Sequence, residues 1–344
     1  MKIVVLAGGT STERDVSLVT GKMVYQALKE RGHNVILLDV FLGYPGEDYD
    51  QVFEKNVSWD DRIAAISKED PDIESIKKKR GGKGFFGPHV LQICQMADIV
   101  FMGLHGANGE DGKVQATLDL FEIKYTGSNP LGAAVSMDKG ISKQLFREQG
   151  IPTPGGIILE KGSRPDMDKM PAFPVVVKVT NGGSSVGVYM ANDEKELTES
   201  IEKAHKYEDT VIVEQFIKGR EFSVGVIDGE PLPVIEIVPK VGFYDYQNKY
   251  QAGSTDEYCP ADLPAEKSEQ MQTLAKKAYD ALHIDSYTRV DMMMDESGQI
   301  YVLEANTLPG MTPTSLLPQE AAVIGYDFGA LCDKLIEVSL RKWE

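Results

Sequence analysis

The sequence predicts a mixed α/β fold in three parts: an N-terminal parallel βαβ unit followed by two α+β units. Three observations lead there. The chain opens with a continuous apolar run, a glycine turn, a helical stretch and a second apolar run, the pattern of a buried parallel sheet with a crossover helix. In the middle, two β-rich runs flank the loop Thr180–Ser185. Near the end, RVDMMMDESGQIYVLEAN reads as two strands around a turn. A length of 344 residues suits two or three such units.

Taken in order, Met1–Ala7 is a strand, Gly8-Gly9-Thr10-Ser11 a tight turn, Val16–Arg31 a helix closed by Gly32, and Val35–Val40 the next strand. From Leu42 to Pro88 the periodicity weakens, and prolines, glycines and the basic run Ile76–Lys83 read as a loop-rich insertion. Helix returns at His89–Met96, strand at Asp98–Leu104, then the glycine-rich loop His105–Gly112. A second unit starts near Ser128: one helix over Met137–Gln149, strands at Phe173–Val179 and Val186–Met190, a helix over Asn192–His205 and a strand at Val211–Gln215. A hinge, Phe216–Gly219, leads to Glu221–Ile227 and Leu232–Val238 around an Asp-Gly turn. Val241–Pro260 is a long aromatic loop, Ala265–Leu282 a helix, and Phe328–Arg341 the last helix. The boundaries expected are 1–127, 128–215 and 216–344.

Chemistry concentrates in the hairpin. Successive strand residues alternate faces, so Arg289 and Asp291 share one face, as do Glu304 and Asn306. With Ser297-Gly298 as a two-residue turn, Asp291 lies opposite Glu304 and Arg289 opposite Asn306. A solvated polar face is the plain alternative. The apolar neighbours Val290, Met292, Val302 and Leu303 imply a buried sheet, where unpaired carboxylates are costly. Two carboxylates and an amide oxygen suit Mg²⁺, which borrows further ligands from phosphates.

Other groups supply the phosphate's partners. Lys178 ends the strand FPVVVK before the glycine loop TNGGSSVG; glycine backbone N–H groups wrap phosphate oxygens and a lysine adds charge. Lys139, early in its helix, offers a second charge. Glu214 ends an apolar strand beside linker residues whose backbone can read an adenine edge, and Glu221 can hold ribose hydroxyls. His105–Gly112 places a histidine and two acids at a strand end, where ligands gather in open α/β sheets. Glu13, near a helix N-terminus, answers the helix dipole or binds a substrate ammonium. Three tyrosines and Lys249 crowd 243–250, a candidate lid within 241–260.

A net charge of −17 argues against nucleic acid and anionic membrane as partners. The opening MKIVVLAGG carries too short an apolar run for a signal peptide, and no stretch approaches a spanning helix. Cys94, Cys259 and Cys332 are scattered and odd in number, as expected of reduced thiols in the cytoplasm.

ERDVS, HGANGEDG, YTGSNPLGAAVSMDK, VVKVTNGGSSVG, EQFIKGREF, FYDYQNKY, RVDMMMD and LEANTLPGMTPTSL occur in this order from Glu13 to Leu316. Together they closely resemble the D-alanine–D-alanine ligases of the ATP-grasp superfamily. The resemblance implies three domains, with ATP as co-substrate clasped between the second and third, and two Mg²⁺ ions, replaceable by Mn²⁺. It implies phosphate contacts from Lys139, Lys178 and Lys249, adenine contacts around Glu214, Gln215 and Ile217, and a ribose contact from Glu221. Asp291, Glu304 and Asn306 match metal ligands. Glu13 matches the group holding the first substrate's ammonium, with His105 lining that subsite, and Ser184 and Tyr250 match its partners in a triad that positions the lid. Arg289 and the Gly310 N–H match stabilisers of the tetrahedral centre; Ser315 and Leu316 match the second substrate's carboxylate site. Val179 replaces the family's common proline, and Asn181-Gly182-Gly183 lacks its acidic residue.

The reaction so implied activates one D-alanine as an acyl phosphate and joins it to a second, for peptidoglycan precursors, in an enzyme commonly homodimeric. The Tyr244–Tyr250 spacing favours an amine nucleophile, and D-serine is the alternative second substrate. A nucleotide-binding protein without turnover, or another ATP-grasp carboxylate–amine ligase, are the rival readings; retention of Arg289 and the metal residues speaks against the first, and the His105–Gly112 loop with the tyrosine lid against the second.

Overall fold

A computed structural model describes residues 1–54, 72–81, 83–183, 187–240 and 254–344. The chain begins with β1 (Lys2–Ala7), α1 (Arg14–Glu30) and β2 (Asn34–Asp39). Within the 42–88 region lies α2 (Ile73–Arg80), followed by α3 (Val90–Gln95), β3 (Ile99–Met102) and α4 (Lys113–Leu120). The strands form a parallel sheet in the order β2-β1-β3. Ile3–Ala7 are wholly buried, which explains why β1 reads as an unbroken apolar run. Gly21 lets α1 lie close on the sheet, since a Cβ there would stand 2.6 Å from the Ala7 Cβ. The basic run expected as loop is instead the body of α2: Asp72 accepts the Ser75 N–H at 3.0 Å and Gly81 ends the helix at φ +65°.

The middle of the chain contributes α5 (Pro130–Met137), α6 (Lys139–Glu148), β4 (Gly156–Glu160), β5 (Val175–Val179), β6 (Tyr189–Ala191), α7 (Glu194–Ala204) and β7 (Thr210–Gln215). The helix expected over Met137–Gln149 is α6, and α5 stands before it. Asp138 is extended (φ −82°, ψ 103°), ends α5, and caps α6 by accepting the Ile141 N–H at 3.0 Å. Asn129 caps α5 with Pro130 in its first turn. The four strands form an antiparallel sheet in the order β4-β7-β5-β6.

The last part comprises β8 (Gly219–Ile227), β9 (Glu230–Pro231), β10 (Ile235–Pro239), β11 (Thr255–Tyr258), α8 (Ala265–Ala281), β12 (Tyr287–Asp295), β13 (Ile300–Asn306), α9 (Leu316–Val323) and α10 (Phe328–Leu340). Its sheet runs β11-β10-β8-β12-β13, with β9 on β8, all antiparallel. The aromatic loop expected over 241–260 thus ends in a strand, while 241–253 lie outside the described residues. α4, α5, β4 and α9 were not foreseen.

Core membership crosses chain order. Leu331, Cys332 and Leu335 of α10 share the N-terminal core with Val24 and Leu28 of α1. Phe146 of α6 packs with Phe222 and Val290 of the last sheet. Among the described residues no helix is long and apolar enough to cross a membrane.

Candidate active site

The hairpin reaches its expected pairing by an unexpected route. Its turn is longer than two residues: the Asp295 N–H donates to the Gln299 carbonyl at 2.9 Å and the Gly298 N–H to the Asp295 carbonyl at 2.9 Å, with Gly298 at φ +83°. The longer loop sets Met294 opposite Ile300 and Met292 opposite Val302. A β-bulge at Leu303 then shifts the register back, so Asp291 faces Glu304 and Arg289 faces Asn306.

Arg289 grips Asp291 with Nε and one terminal nitrogen, each at 2.8 Å. Ser223 Oγ, on the neighbouring β8, donates to Asp291 Oδ1 at 3.0 Å, and Asn306 Nδ2 lies 3.0 Å from Oδ2. Glu304 is 3.1 Å from Lys139 Nζ, which also donates to the Gly182 carbonyl at 2.6 Å. Lys139 thereby ties the glycine loop to the hairpin, and one pocket gathers Glu110, Lys139, Gly182, Gly183, Glu304 and Asn306. The residues fit a hard divalent cation: two carboxylates and an amide stand on adjacent strands of one face, each carboxylate now matched by a cationic side chain. Among the described residues no cluster of three or more acid, His or Cys side chains forms a separate metal cage.

Lys178 and Glu214 meet as the sheet predicts. Glu214 is opposite Val176, two residues from Lys178 along β5, so both side chains rise from one face. Lys178 pairs with Oε1 of Glu214 and Lys143 with Oε2 at 2.9 Å. Burial alone opposes charge on Glu214, but Lys143 and Lys178 outweigh it and hold its pKa down at about 2. Burial likewise opposes charge on Lys178, yet Glu214, then Glu304 and Glu221, keep its pKa above the ordinary value. For Lys143 burial wins, and its pKa falls despite Glu214. The Glu214 carboxylate is thus engaged by lysines. Gln215 is exposed, Ile217 buried, and Glu221 lies on β8 opposite Met293.

The N-terminal unit supplies the other wall. Glu13 precedes α1 and is buried; a Cβ on Gly106 would stand 2.7 Å, and one on Gly183 2.5 Å, from its Oε2. Glycines at both positions let the 105–112 loop and the glycine loop close on this carboxylate without displacing it. His105 uses both ring nitrogens internally: Nδ1 is 3.0 Å from the Leu308 carbonyl, which only accepts, so Nε2 accepts the Thr20 hydroxyl at 3.0 Å. Burial lowers its pKa, Glu13 and Leu308 notwithstanding. Glu110 accepts the Gly106 N–H at 2.7 Å and the Leu308 N–H at 3.4 Å. Burial, reinforced by Glu13, pushes its pKa up to about 8. His105 and Glu110 therefore hold the carbonyl and N–H of Leu308, two residues before Gly310.

Ser315 precedes α9, and its Oγ accepts the Thr312 N–H at 3.1 Å. The Leu316 side chain is buried against Ile235 and Ile237, which leaves backbone at a helix N-terminus as its polar contribution. Ser184, Lys249 and Tyr250 lie outside the described residues. A larger cavity of about 570 Å³ beside α2 and α3 stands apart from these groups; the Arg80 guanidinium on its wall is spent on the carbonyls of Phe41, Lys83, Gly84 and Phe85.

A family model for the D-ala D-ala ligase N-terminus matches residues 2–128, and one for the C-terminus of the same family matches residues 145–337. The chain belongs to the D-alanine–D-alanine ligase family. A ligase of that name from Pediococcus pentosaceus is 45% identical over 343 residues, covering 98% of this chain and 97% of the relative. Among solved structures, the D-alanine–D-alanine ligase of Bacillus anthracis complexed with ATP superposes with a TM-score of 0.75 at 34% identity, covering 99% of this chain and 98% of that one. VanG D-Ala:D-Ser ligase from Enterococcus faecalis gives 0.76 at 30% identity, covering 98% and 99%. The architecture is therefore that of the ATP-grasp ligases, and the family is one of ATP-dependent ligases. Two residues that contact the candidate site, Lys143 on Glu214 and Ser223 on Asp291, escaped the sequence reading. Lys143 had a signal, because it stands four residues after Lys139 on the buried face of α6. Ser223, a lone serine in an apolar strand, had none.

Proposed function

We propose that this chain joins two D-alanines at the expense of ATP, through an acyl phosphate. The observation that carries this reading is the convergence on one pocket of Lys139, Glu304 and Asn306 with the glycine loop and Glu110. Lys139, Lys178 and Lys249 take the phosphates, the backbone from Glu214 to Ile217 the adenine, and Glu221 the ribose. Asp291, Glu304 and Asn306 would hold Mg²⁺, or Mn²⁺ in its place, which when bound neutralises phosphate charge and leaves the side chains to orient the reactants. Glu13 takes the first D-alanine's ammonium, beside His105, in a triad with Ser184 and Tyr250. A carboxylate oxygen of that D-alanine attacks the γ-phosphorus, and ADP leaves. The second D-alanine, its carboxylate at the N-terminus of α9 (Ser315, Leu316), attacks the acyl carbon through its neutral amine; Arg289 and the Gly310 N–H stabilise the developing oxyanion, the C–O bond to phosphate breaks, and phosphate departs with the proton the nitrogen loses.

The three-domain division at 127 and 215, a cytoplasmic location and a homodimer complete the reading; unpaired cysteines and use of ATP support the location. The likeness to VanG favours one second reading, D-serine as acceptor. Phosphate release with ATP, Mg²⁺ and D-alanine, followed by mass identification of products when D-serine competes, separates them. D-alanyl-D-alanine as the main product upholds the proposal; D-alanyl-D-serine with the higher kcat/KM replaces it, and no dipeptide removes both.

A further inference from the structure

Glu214 carries two lysines on one carboxylate, and the two differ in access. The Lys178 side chain keeps 18% exposure, whereas those of Lys143 and Glu214 keep 1% each. Lys178 belongs to β5 beside the glycine loop, in the field of Glu304 and Glu221. Lys143 comes from α6, pairs with Glu214 at 2.9 Å, and donates to Thr153 Oγ1 at 3.0 Å. One cation can turn toward a ligand; the other is sealed in place. A carboxylate buried this deeply cannot stay charged without a counter-ion, and removing a partner from such a pair is strongly unfavourable. Any ligand that draws Lys178 away must therefore leave Glu214 compensated by something else.

We infer that Lys143 is the fixed counter-ion of Glu214, and that its presence allows Lys178 to leave that carboxylate for the phosphates of a nucleotide. Lys143 is a positioning residue: it acts through Glu214 and Lys178 and touches no substrate. The inference rests on the reading that nucleotide phosphates bind beside Lys178. It makes the Lys178–phosphate contact an exchange of one anion for another, at a cost set by how well Lys143 serves Glu214 alone.

The test is calorimetric binding of ADP and of adenosine to the full-length protein with Mg²⁺ and without D-alanine. Lys143→Met weakens ADP about tenfold or more, a change of about 1.4 kcal/mol per decade, while adenosine, which needs nothing from Lys178, changes little. In a Glu214→Gln background Lys178 has lost the carboxylate it pairs with, and adding Lys143→Met then has little further effect on ADP. Thr153→Val, which keeps the charge and loosens its hold, gives a smaller loss with the same selectivity; it carries the test if Lys143→Met does not fold. Equal losses for adenosine and ADP would mean that Lys143 only supports the fold. An undiminished Lys143→Met effect in the Glu214→Gln background would mean that it acts by its field alone. Either result, or unchanged ADP binding, overturns the inference. Wild-type protein that binds no ADP would remove the nucleotide reading itself, and the inference with it.

Discussion

Glu214 is fully buried and Glu110 half-buried, and the two carry different charge states at neutral pH. Glu214, between Lys143 and Lys178, is held ionised with its pKa at about 2. Glu110, with a second carboxylate, Glu13, for a neighbour and backbone N–H groups for partners, is pushed up to about 8 and keeps its proton. The burial cost is of the same kind in both places, and the partners decide the outcome. The side proposed to take nucleotide is thus built from pre-paired ions, and the side proposed to take D-alanine from a protonated Glu110 and groups clamped by backbone. Pre-paired ions can be exchanged for a polyanion; the clamped side holds Leu308 and so the approach to Gly310.

Arg289 is the cation that acts on both sides, pairing with Asp291 and lowering the pKa of Glu110 from a distance. Its replacement by alanine should have the largest effect, a fall in kcat of about 10²–10³-fold by phosphate release. Near-normal kcat would mean that the two halves work without a shared cation. Next in size, Glu214→Gln leaves two lysines buried against a neutral amide and should cost about 3–5 kcal/mol in urea unfolding at pH 7. Its pH signature follows from the depressed pKa. Stability from Glu214 is fully present above the unfolded value near 4.5 and is lost as pH falls toward about 2. The wild type should therefore lose stability across that window, and the variant should show a shallower acid limb.

Glu110 gives the opposite sign. Its raised pKa means that the unfolded chain ionises first, so the residue costs stability from about pH 4.5 upward, with the full cost reached near pH 8. Glu110→Gln should stabilise the protein by about 1–3 kcal/mol at pH 7, and the gain should vanish by pH 4. A gain that persists in acid would remove the contrast between the two carboxylates. The smallest effect is expected of Ser223→Ala, which removes one donor to Asp291: about 1 kcal/mol in urea unfolding, with a few-fold change in the Mg²⁺ needed for half-maximal turnover.

The same contrast marks what the sequence made legible. Arg289, Asp291, Glu304 and Asn306 lie on two consecutive strands, where the period of two and a short turn suffice to place them on one face. The turn length and the Leu303 bulge were both missed, and their opposite register shifts left the expected pairs intact. Lys178 and Glu214 were singled out one by one, but their meeting depends on β5 lying beside β7, a pairing across intervening β6 and α7. Lys143 stands on a third element, α6; its spacing from Lys139 marks the buried face, but not that Glu214 is its partner there. Helix α5 was missed, although Asn129 followed by Pro130 is a helix-start signal. The resemblance carried site residues across these gaps, because ordered motifs report a shared fold that local periodicity does not.

The acyl phosphate is the step on which the whole account turns, and isotope transfer tests it most directly. D-alanine labelled with ¹⁸O in its carboxylate is supplied with unlabelled ATP and Mg²⁺, and the released phosphate is analysed by mass. Attack of the carboxylate on the γ-phosphorus predicts one ¹⁸O in inorganic phosphate for each D-alanyl-D-alanine formed. Dipeptide formed with unlabelled phosphate would contradict it.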